Sequence, residues 1–461
     1  MLKRSLYASL WEWKRRERRT VLLVDGARQI GKTYLIRQFA GEAYKQYIHI
    51  DFLADDRMRQ RFARISSAQE VIDLLLLNAS RPISFNSNER VLVFFDEVQV
   101  VPEIVTFSKY LLEDGRFDIV LSGSLLGVEL FSVKSFPVGY LSILTMHALT
   151  FEEFAWGYGV PESVLDEVRG AYHARQPLSP ATHEKLIDIY RRYIVLGGMP
   201  AVVQSHIDSG RDIGVARYQQ EELVRLYRED IAQYAGRDAI KVKRIYDALP
   251  AQLSKENKRF QLRVLGASAK YDRYENEFSW LATSGVALMV NRVSEPTMML
   301  RRTEEKGRFK LFSHDTGLLM SMYPASVGMD VLTGVKNANY GAVYENVVAQ
   351  ELASRDIPLF YYHNNRRGEV DFLAETQQGD VLPIEVKSGK NYTRHMALDN
   401  LLADEGYGIQ QGIVLCEDNL RTKTVHGKKV DYLPLYMLGY LADELKPTGQ
   451  LEQVKLPEVQ W

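Results

Sequence analysis

Eight residues, Gly26-Ala27-Arg28-Gln29-Ile30-Gly31-Lys32-Thr33, have the spacing of a phosphate-binding loop: two glycines separated by four residues, then a Lys-Thr pair. Glycines let the main chain fold back so that several N–H groups point at one phosphate, and a following helix N-terminus adds partial positive charge. In that arrangement Lys32 reaches the β- and γ-phosphates of ATP, and the Thr33 hydroxyl binds Mg²⁺. Residues Gly26 to Tyr34 are the candidate nucleotide-binding set. A glycine-rich turn followed by a solvated lysine is the plainer alternative. The apolar run Val21 to Val24 before the loop and the helical pattern Tyr34 to Phe39 after it argue against that alternative.

A second constellation sits at Val91-Leu-Val-Phe-Phe-Asp-Glu97. Five apolar residues in a row fit a central parallel strand buried on both faces. At its C-terminal end Asp96 is placed to help hold Mg²⁺ and Glu97 to polarise the attacking water. A third strand, Phe117 to Leu121, leads into Ser122-Gly123-Ser124. Ser124 is the first candidate for sensing the γ-phosphate or the lytic water and Ser122 the second, with a plain polar turn as the alternative.

A further set lies towards the C-terminus. Glu385 and Lys387 are two residues apart on a predicted strand and share a face. Asp371 lies on the strand before, separated by the length of a hairpin. Asp371 and Glu385, with the Val386 carbonyl, could bind a hard cation such as Mg²⁺ or Mn²⁺ through oxygen. Lys387 could then orient or deprotonate a metal-bound water, and Glu345 could approach from a flanking helix. An inert ion-pair cluster or a chance match would use the same residues.

The elements that must position these groups follow from periodicity. Strands are predicted at 21–24, 46–51, 91–95 and 117–121, with helical spacing over 56–79. Prolines and glycines interrupt 156–182, Gly197 and Gly198 end a helix, Pro200 opens the next, and helical pattern fills 213–252. Lys241 to Arg273 holds nine Lys or Arg residues against three acids, a face able to meet DNA phosphates or only solvent. His314 and Asp315 are adjacent in a strand-like stretch and so face opposite sides, which makes them structural. From 344 onward the order is helix, three strands, helix, strand. Arg366 and Arg367 lie in a turn where substrate phosphate could pass.

The chain has 461 residues, a net charge of −1 and one cysteine, Cys416. That length allows two to four domains, and the charge leaves any nucleic-acid contact to local patches. One cysteine excludes an internal disulfide and points to a cytoplasmic protein. No apolar run is long enough to span a membrane.

Four stretches, Gly26–Thr33, Val93–Gln99, Leu121–Gly127 and Ala148–Phe154, together resemble a family of prokaryotic AAA-type ATPases, many described only as ATP-binding proteins. Gly197-Gly198-Met199-Pro200 resembles another signature of that family. Tyr140 stands where the family usually has a basic residue, so no arginine finger can be named. The resemblance implies a winged-helix unit around Phe278–Val290. The set Asp371, Glu385 and Lys387, with Glu345, resembles the PD-(D/E)xK nuclease fold.

The expected architecture is α/β: a P-loop AAA-type ATPase core over 1–155, a helical and winged-helix middle domain over 156–304, a restriction-endonuclease-like domain over 305–445, and a tail over 446–461. The expected function is ATP hydrolysis coupled to a C-terminal unit that cleaves or grips DNA. A nucleotide-driven switch or a protein-remodelling ATPase with an inactive nuclease-like domain is the rival, and a homo-oligomer or a protein partner fits either.

Overall fold

The computed structural model describes residues 2–79, 82–85, 89–124, 139–335, 340–389 and 392–446. Five strands form the first sheet: β1 (Val21–Asp25), β2 (Tyr47–Asp51), β3 (Val91–Asp96), β4 (Phe117–Ser122) and β5 (Leu141–Thr145). Their order is β2-β3-β4-β1-β5, and every pairing is parallel. All residues of β3 and β4 are buried, which is why β3 reads as an apolar run up to Asp96 and β4 as one interrupted only by Asp118 before it ends at Ser122. Side chains of β1 alternate between two cores, Leu22 and Val24 in one and Val21 and Leu23 in the other. Because the strands are parallel, the loop after β1 and the acidic tip of β3 emerge on one edge, with the end of β4 between them.

The helical stretch expected over 56–79 divides into Asp56–Phe62 and Ala68–Leu77. The Ser67 side chain accepts the Glu70 N–H and restarts the helix there. The middle of the chain is helical, including Pro180–Leu196, Pro200–Asp208, Ile213–Tyr234 and Ala239–Leu253. Pro180 and Pro200 each occupy a first helical position, where the missing N–H is not needed.

A second sheet contains β6 (Ala287–Val293), β7 (Glu304–Ser313), β8 (Phe360–Asn364), β9 (Gly368–Glu375), β10 (Val381–Val386), β11 (Gln411–Cys416), β12 (Arg421–Val425) and β13 (Lys428–Pro434). The order is β12-β13-β11-β10-β9-β8-β6-β7. Here the structure departs from expectation. Strand β6, expected as the wing of the middle domain, pairs antiparallel with β7 and parallel with β8. The 304/305 boundary therefore falls inside a sheet. The physical reason is that β8 would otherwise present a bare edge, and the buried half of β7, Phe309–Ser313, needs cover. One hydrophobic core runs through the whole assembly, from Leu22 and Phe94 through Tyr193 and Leu319 to Val347 and Leu433.

At the centre of this assembly three glycines meet. Gly197 has φ 72° and ψ −168°, a conformation reserved for glycine. A Cβ there would lie 2.2 Å from Asp315 Oδ1 and 2.6 Å from the Gly317 nitrogen. A Cβ on Gly198 would lie 2.2 Å from the Leu149 carbonyl oxygen. Gly198 N–H donates to Asp315 Oδ2 at 2.6 Å, and Asp315 also caps the helix Thr316–Ser321 through the Leu318 N–H at 2.9 Å. His314 Nδ1 lies 3.0 Å from the Val286 carbonyl oxygen. Both residues act in the scaffold. No helix among the described residues is long and apolar enough to cross a membrane.

Candidate functional site

The loop after β1 closes on itself. Gly26 and Gly31 have φ of 133° and 92°, and Gln29 is also left-handed at 65°. A Cβ on Gly26 would lie 2.1 Å from the Met146 carbonyl oxygen, so only glycine fits. Gly31 opens the helix Lys32–Ala43. Lys32 is buried, and its Nζ donates to the carbonyls of Gly26 at 2.8 Å and Ala27 at 2.7 Å. Ile30 is fully buried and serves packing, whereas Tyr34 is 60% exposed. Arg28 turns away from the loop and ion-pairs with Asp230, and its carbonyl accepts the Tyr227 hydroxyl at 2.7 Å.

Asp96 faces this loop from the tip of β3. Ser122 donates its hydroxyl to Asp96 Oδ1, and His49 Nε2 stands 3.6 Å from Oδ2. Burial pushes the Asp96 carboxyl up, but the neighbouring His49, Ser122 and Thr33 outweigh it and hold the carboxyl below its usual range. Asp96 Oδ2 is buried without a hydrogen-bond partner. An open, anionic oxygen beside the Thr33 hydroxyl fits a hard cation. Glu97 has φ 58°, and its Oε2 accepts from Gln99 Nε2 at 2.6 Å and from the Ser124 hydroxyl at 3.3 Å. The loop, Asp96, Glu97 and both serines thus share one edge of the sheet. Residues Leu125–Gly127 and Phe136–Val138 of the resemblance lie outside the described residues. Tyr140 carries the Lys109 ammonium 4.6 Å from its ring centre.

Residues 18–155 match the family model of an AAA domain. Residues 187–330 and 340–438 match two domains of unknown function, DUF8612 and DUF4143. The first of these runs across residue 304, as the β6–β7 hairpin does. No curated protein matches the chain. Among solved structures, it is similar to the Aeropyrum pernix ORC1 protein in complex with DNA, at 12% identity and TM-score 0.25, covering 72% of this chain and 90% of that one. The Thermotoga maritima RuvB Holliday junction branch migration motor is similar at 14% identity and TM-score 0.27, covering 62% and 89%. The S. cerevisiae Hsp104–ADP complex follows at 12% identity and TM-score 0.29, covering 77% of this chain and 43% of that one. None of these likenesses transfers a ligand or a partner.

The electrostatics of the AAA domain give a pH prediction. Burial lowers the Lys32 ammonium to about 8, with Glu97, Asp96 and Asp25 opposing. Phosphate oxygens favour the charged form, so ATP binding should take up a proton when the free lysine is neutral. ATP affinity is therefore expected to hold steady below about 8 and to fall as pH rises through it. Calorimetry in buffers of different ionisation heat reads both effects, and tighter binding at alkaline pH would refute the assignment.

Four residues of this site were not singled out by sequence: His49, Gln99, Tyr227 and Asp230. Gln99 lies two residues past Glu97 and could have been found from that spacing. Tyr227 and Asp230 come from a helix about two hundred residues away in sequence, and no local signal marks them.

The second candidate set also comes together. Glu345 lies on the helix Gly341–Ala353, Asp371 on β9, Glu385 on β10, and Lys387 just past its end. Lys387 Nζ donates to Glu385 Oε1 at 2.6 Å, confirming the shared face. Val386 N–H donates to Asp371 Oδ2 at 2.8 Å. Lysines that the sequence did not single out stand among these acids. Lys310, on β7 and wholly buried, lies 3.1 Å from Glu345 Oε2, 2.7 Å from Glu369 Oε1 and 3.7 Å from Asp371 Oδ1. Lys258 pairs with the other oxygen of Glu345.

Burial pushes the Asp371 carboxyl well up, and the Glu345 and Glu385 carboxylates add to it. Burial also pushes Glu345 up, but Lys310 and Lys258 overcome it and hold that carboxyl far below its usual range. Among the described residues no group of three or more His, Cys, Asp or Glu is placed to hold a metal ion. At the expected Asp371–Glu385 site, the Lys310 ammonium stands 3.7 Å from Asp371 Oδ1, and Glu385 Oε2 is buried without a hydrogen-bond partner. Arg367 of the nearby turn is tied to Asp404, while Arg366 is exposed.

Proposed function

We propose that this chain is an ATP-hydrolysing switch that uses Mg²⁺. Thr33 and Asp96 would hold the ion, which when bound screens the phosphate charge and makes the terminal phosphorus easier to attack. Lys32 and the loop N–H groups bind the triphosphate. Glu97, fixed by Gln99 and Ser124, takes the proton of the water that attacks the terminal phosphorus as ADP leaves. The observation that carries this reading is the convergence of Lys32, Thr33, Asp96 and Glu97 on one edge of a parallel sheet, in a region matching an AAA domain.

The ion pair Arg28–Asp230 and the bond from Tyr227 to the Arg28 carbonyl tie the phosphate loop to the helix Ile213–Tyr234. That tie supports the helix as the element that relays nucleotide state to the rest of the chain. We assign DNA as the partner on the strength of the basic segment, where Lys243, Arg244, Arg263, Lys270 and Arg273 are exposed. In contrast, Lys241 and Lys258 are spent on Glu277 and Glu345. The test is steady-state phosphate release by the wild type and by Glu97→Gln, with and without duplex DNA. The variant is expected to bind ATP and to turn it over about 10²-fold more slowly. DNA is expected to raise the wild-type rate. A Glu97→Gln rate equal to wild type would end the assignment of Glu97, and indifference to DNA at low salt would end that of the partner.

A further inference from the structure

The C-terminal cluster invites a metal-dependent reading, and its geometry opposes one. Mg²⁺ draws its oxygens in to about 2.0–2.1 Å and keeps near-octahedral order. Here three of the acids, Glu369, Glu345 and Asp371, gather around a nitrogen instead. Lys310 Nζ is 2.7 Å from Glu369, 3.1 Å from Glu345 and 3.7 Å from Asp371. It has no exposure to solvent, so it cannot swing out without rearranging β7. The centre of the Tyr361 ring lies 5.0 Å from its Nζ.

Most of the other carboxylate oxygens are engaged as well, while Glu385 Oε2 is buried without a hydrogen-bond partner. Glu345 is shared by Lys310 and Lys258, Asp371 accepts the Val386 N–H, and Glu385 is held by Lys387. Glu369 is also approached by His363 Nδ1 at 3.3 Å. Four carboxylates and three lysines are therefore nearly matched in charge. A divalent ion placed among them would meet an ammonium it cannot displace into water.

We infer that Lys310 is the resident cation of this cluster, and that the Asp371–Glu385–Lys387 set is an ion-paired junction closed to divalent metals. The junction has a structural task. Lys310 comes from β7, Lys258 from the segment after the helix Ala239–Leu253, and their shared partner Glu345 from the helix Gly341–Ala353. The ion pairs thus fasten the helical middle of the chain to the strands that follow it. This inference stands apart from the ATP reading, since it concerns another site and holds whether or not the AAA domain turns over nucleotide.

The test is Mn²⁺ titration of the full chain without nucleotide, read by the loss of the free-ion electron paramagnetic resonance signal. Wild type, Asp371→Asn, Lys310→Met and the pair Lys310→Met/Asp371→Asn are compared. Wild type and Asp371→Asn are expected to give identical titrations, with no site that depends on Asp371. Lys310→Met is expected to gain one Mn²⁺ site, lost again in the pair. A wild-type Mn²⁺ site abolished by Asp371→Asn overturns the inference outright. So does a folded Lys310→Met protein that gains no site. Should Lys310→Met fail to fold, Lys310→Met/Glu369→Gln removes one charge of each sign. Recovery of folding there, with wild type still silent to Mn²⁺, supports the resident cation. Failure of that pair to recover shows that the ammonium does not serve to balance the acids and counts against it.

Discussion

Lys32→Ala is expected to lower ATP turnover by at least about 10²-fold, the scale lost when one charged donor aimed at a reacting phosphate is removed. The free protein already shows how committed this side chain is. Its ammonium is buried and held by two carbonyls of its own loop, at 2.8 and 2.7 Å. Burial with only main-chain oxygens as direct partners leaves the charge under-compensated, which is why its proton is loosened. A triphosphate would supply the missing negative charge. The same reasoning separates a ligand role from a structural one. Removing an under-compensated buried charge should leave the melting temperature of the ligand-free protein unchanged or raise it, while ATP loses its power to stabilise. Thermal unfolding with and without Mg-ATP, run beside phosphate release, checks both. If Lys32→Ala melted early yet bound ATP normally, the lysine would be part of the scaffold only.

The second large effect lies at the glycine junction. Gly197→Ala should destabilise the chain by at least about 3 kcal/mol, combining a forbidden backbone conformation with a steric clash. The added carbon would meet Asp315 Oδ1 at 2.2 Å and the Gly317 nitrogen at 2.6 Å. Neither can retreat, because Asp315 holds both the Gly198 N–H and the start of a helix. The melting temperature is expected to fall by roughly 3 °C or more. Gly170→Ala is the control. Gly170 lies in the helix Glu162–Ala174 with nothing within 4 Å of an added carbon, so alanine there should be neutral or mildly stabilising. Equal losses in the two variants would show that the junction has no special rigidity.

The phosphate loop was legible because its chemistry is local. Strand, glycines, lysine and helix follow one another within one short stretch, and the parallel sheet then brings Asp96 alongside. Ser122 and Ser124 could be placed for the same reason, since they end the neighbouring strand. The break at Gly197 and Pro200 was legible, but not what it meets, because Asp315 and Gly317 arrive from more than a hundred residues on. The C-terminal cluster shows the limit best. Glu345, Asp371, Glu385 and Lys387 were found by pattern and do come together. Lys310 and Lys258, which decide what those acids can bind, belong to a strand and a loop that no motif marks. Assigning β6 to a wing failed for a related reason. A strand's own sequence shows that it will pair, and only its surroundings choose the partner.

Because β6 lies between β7 and β8, this protein cannot be divided into cassettes at residue 304. A fragment beginning at 305 would lose β6 and the first residue of β7, and β8 would face water with a row of unmet N–H and C=O groups. Such a piece would recruit strands from its neighbours and precipitate. A fragment meant to keep the C-terminal sheet intact must therefore begin upstream of residue 287, where β6 starts.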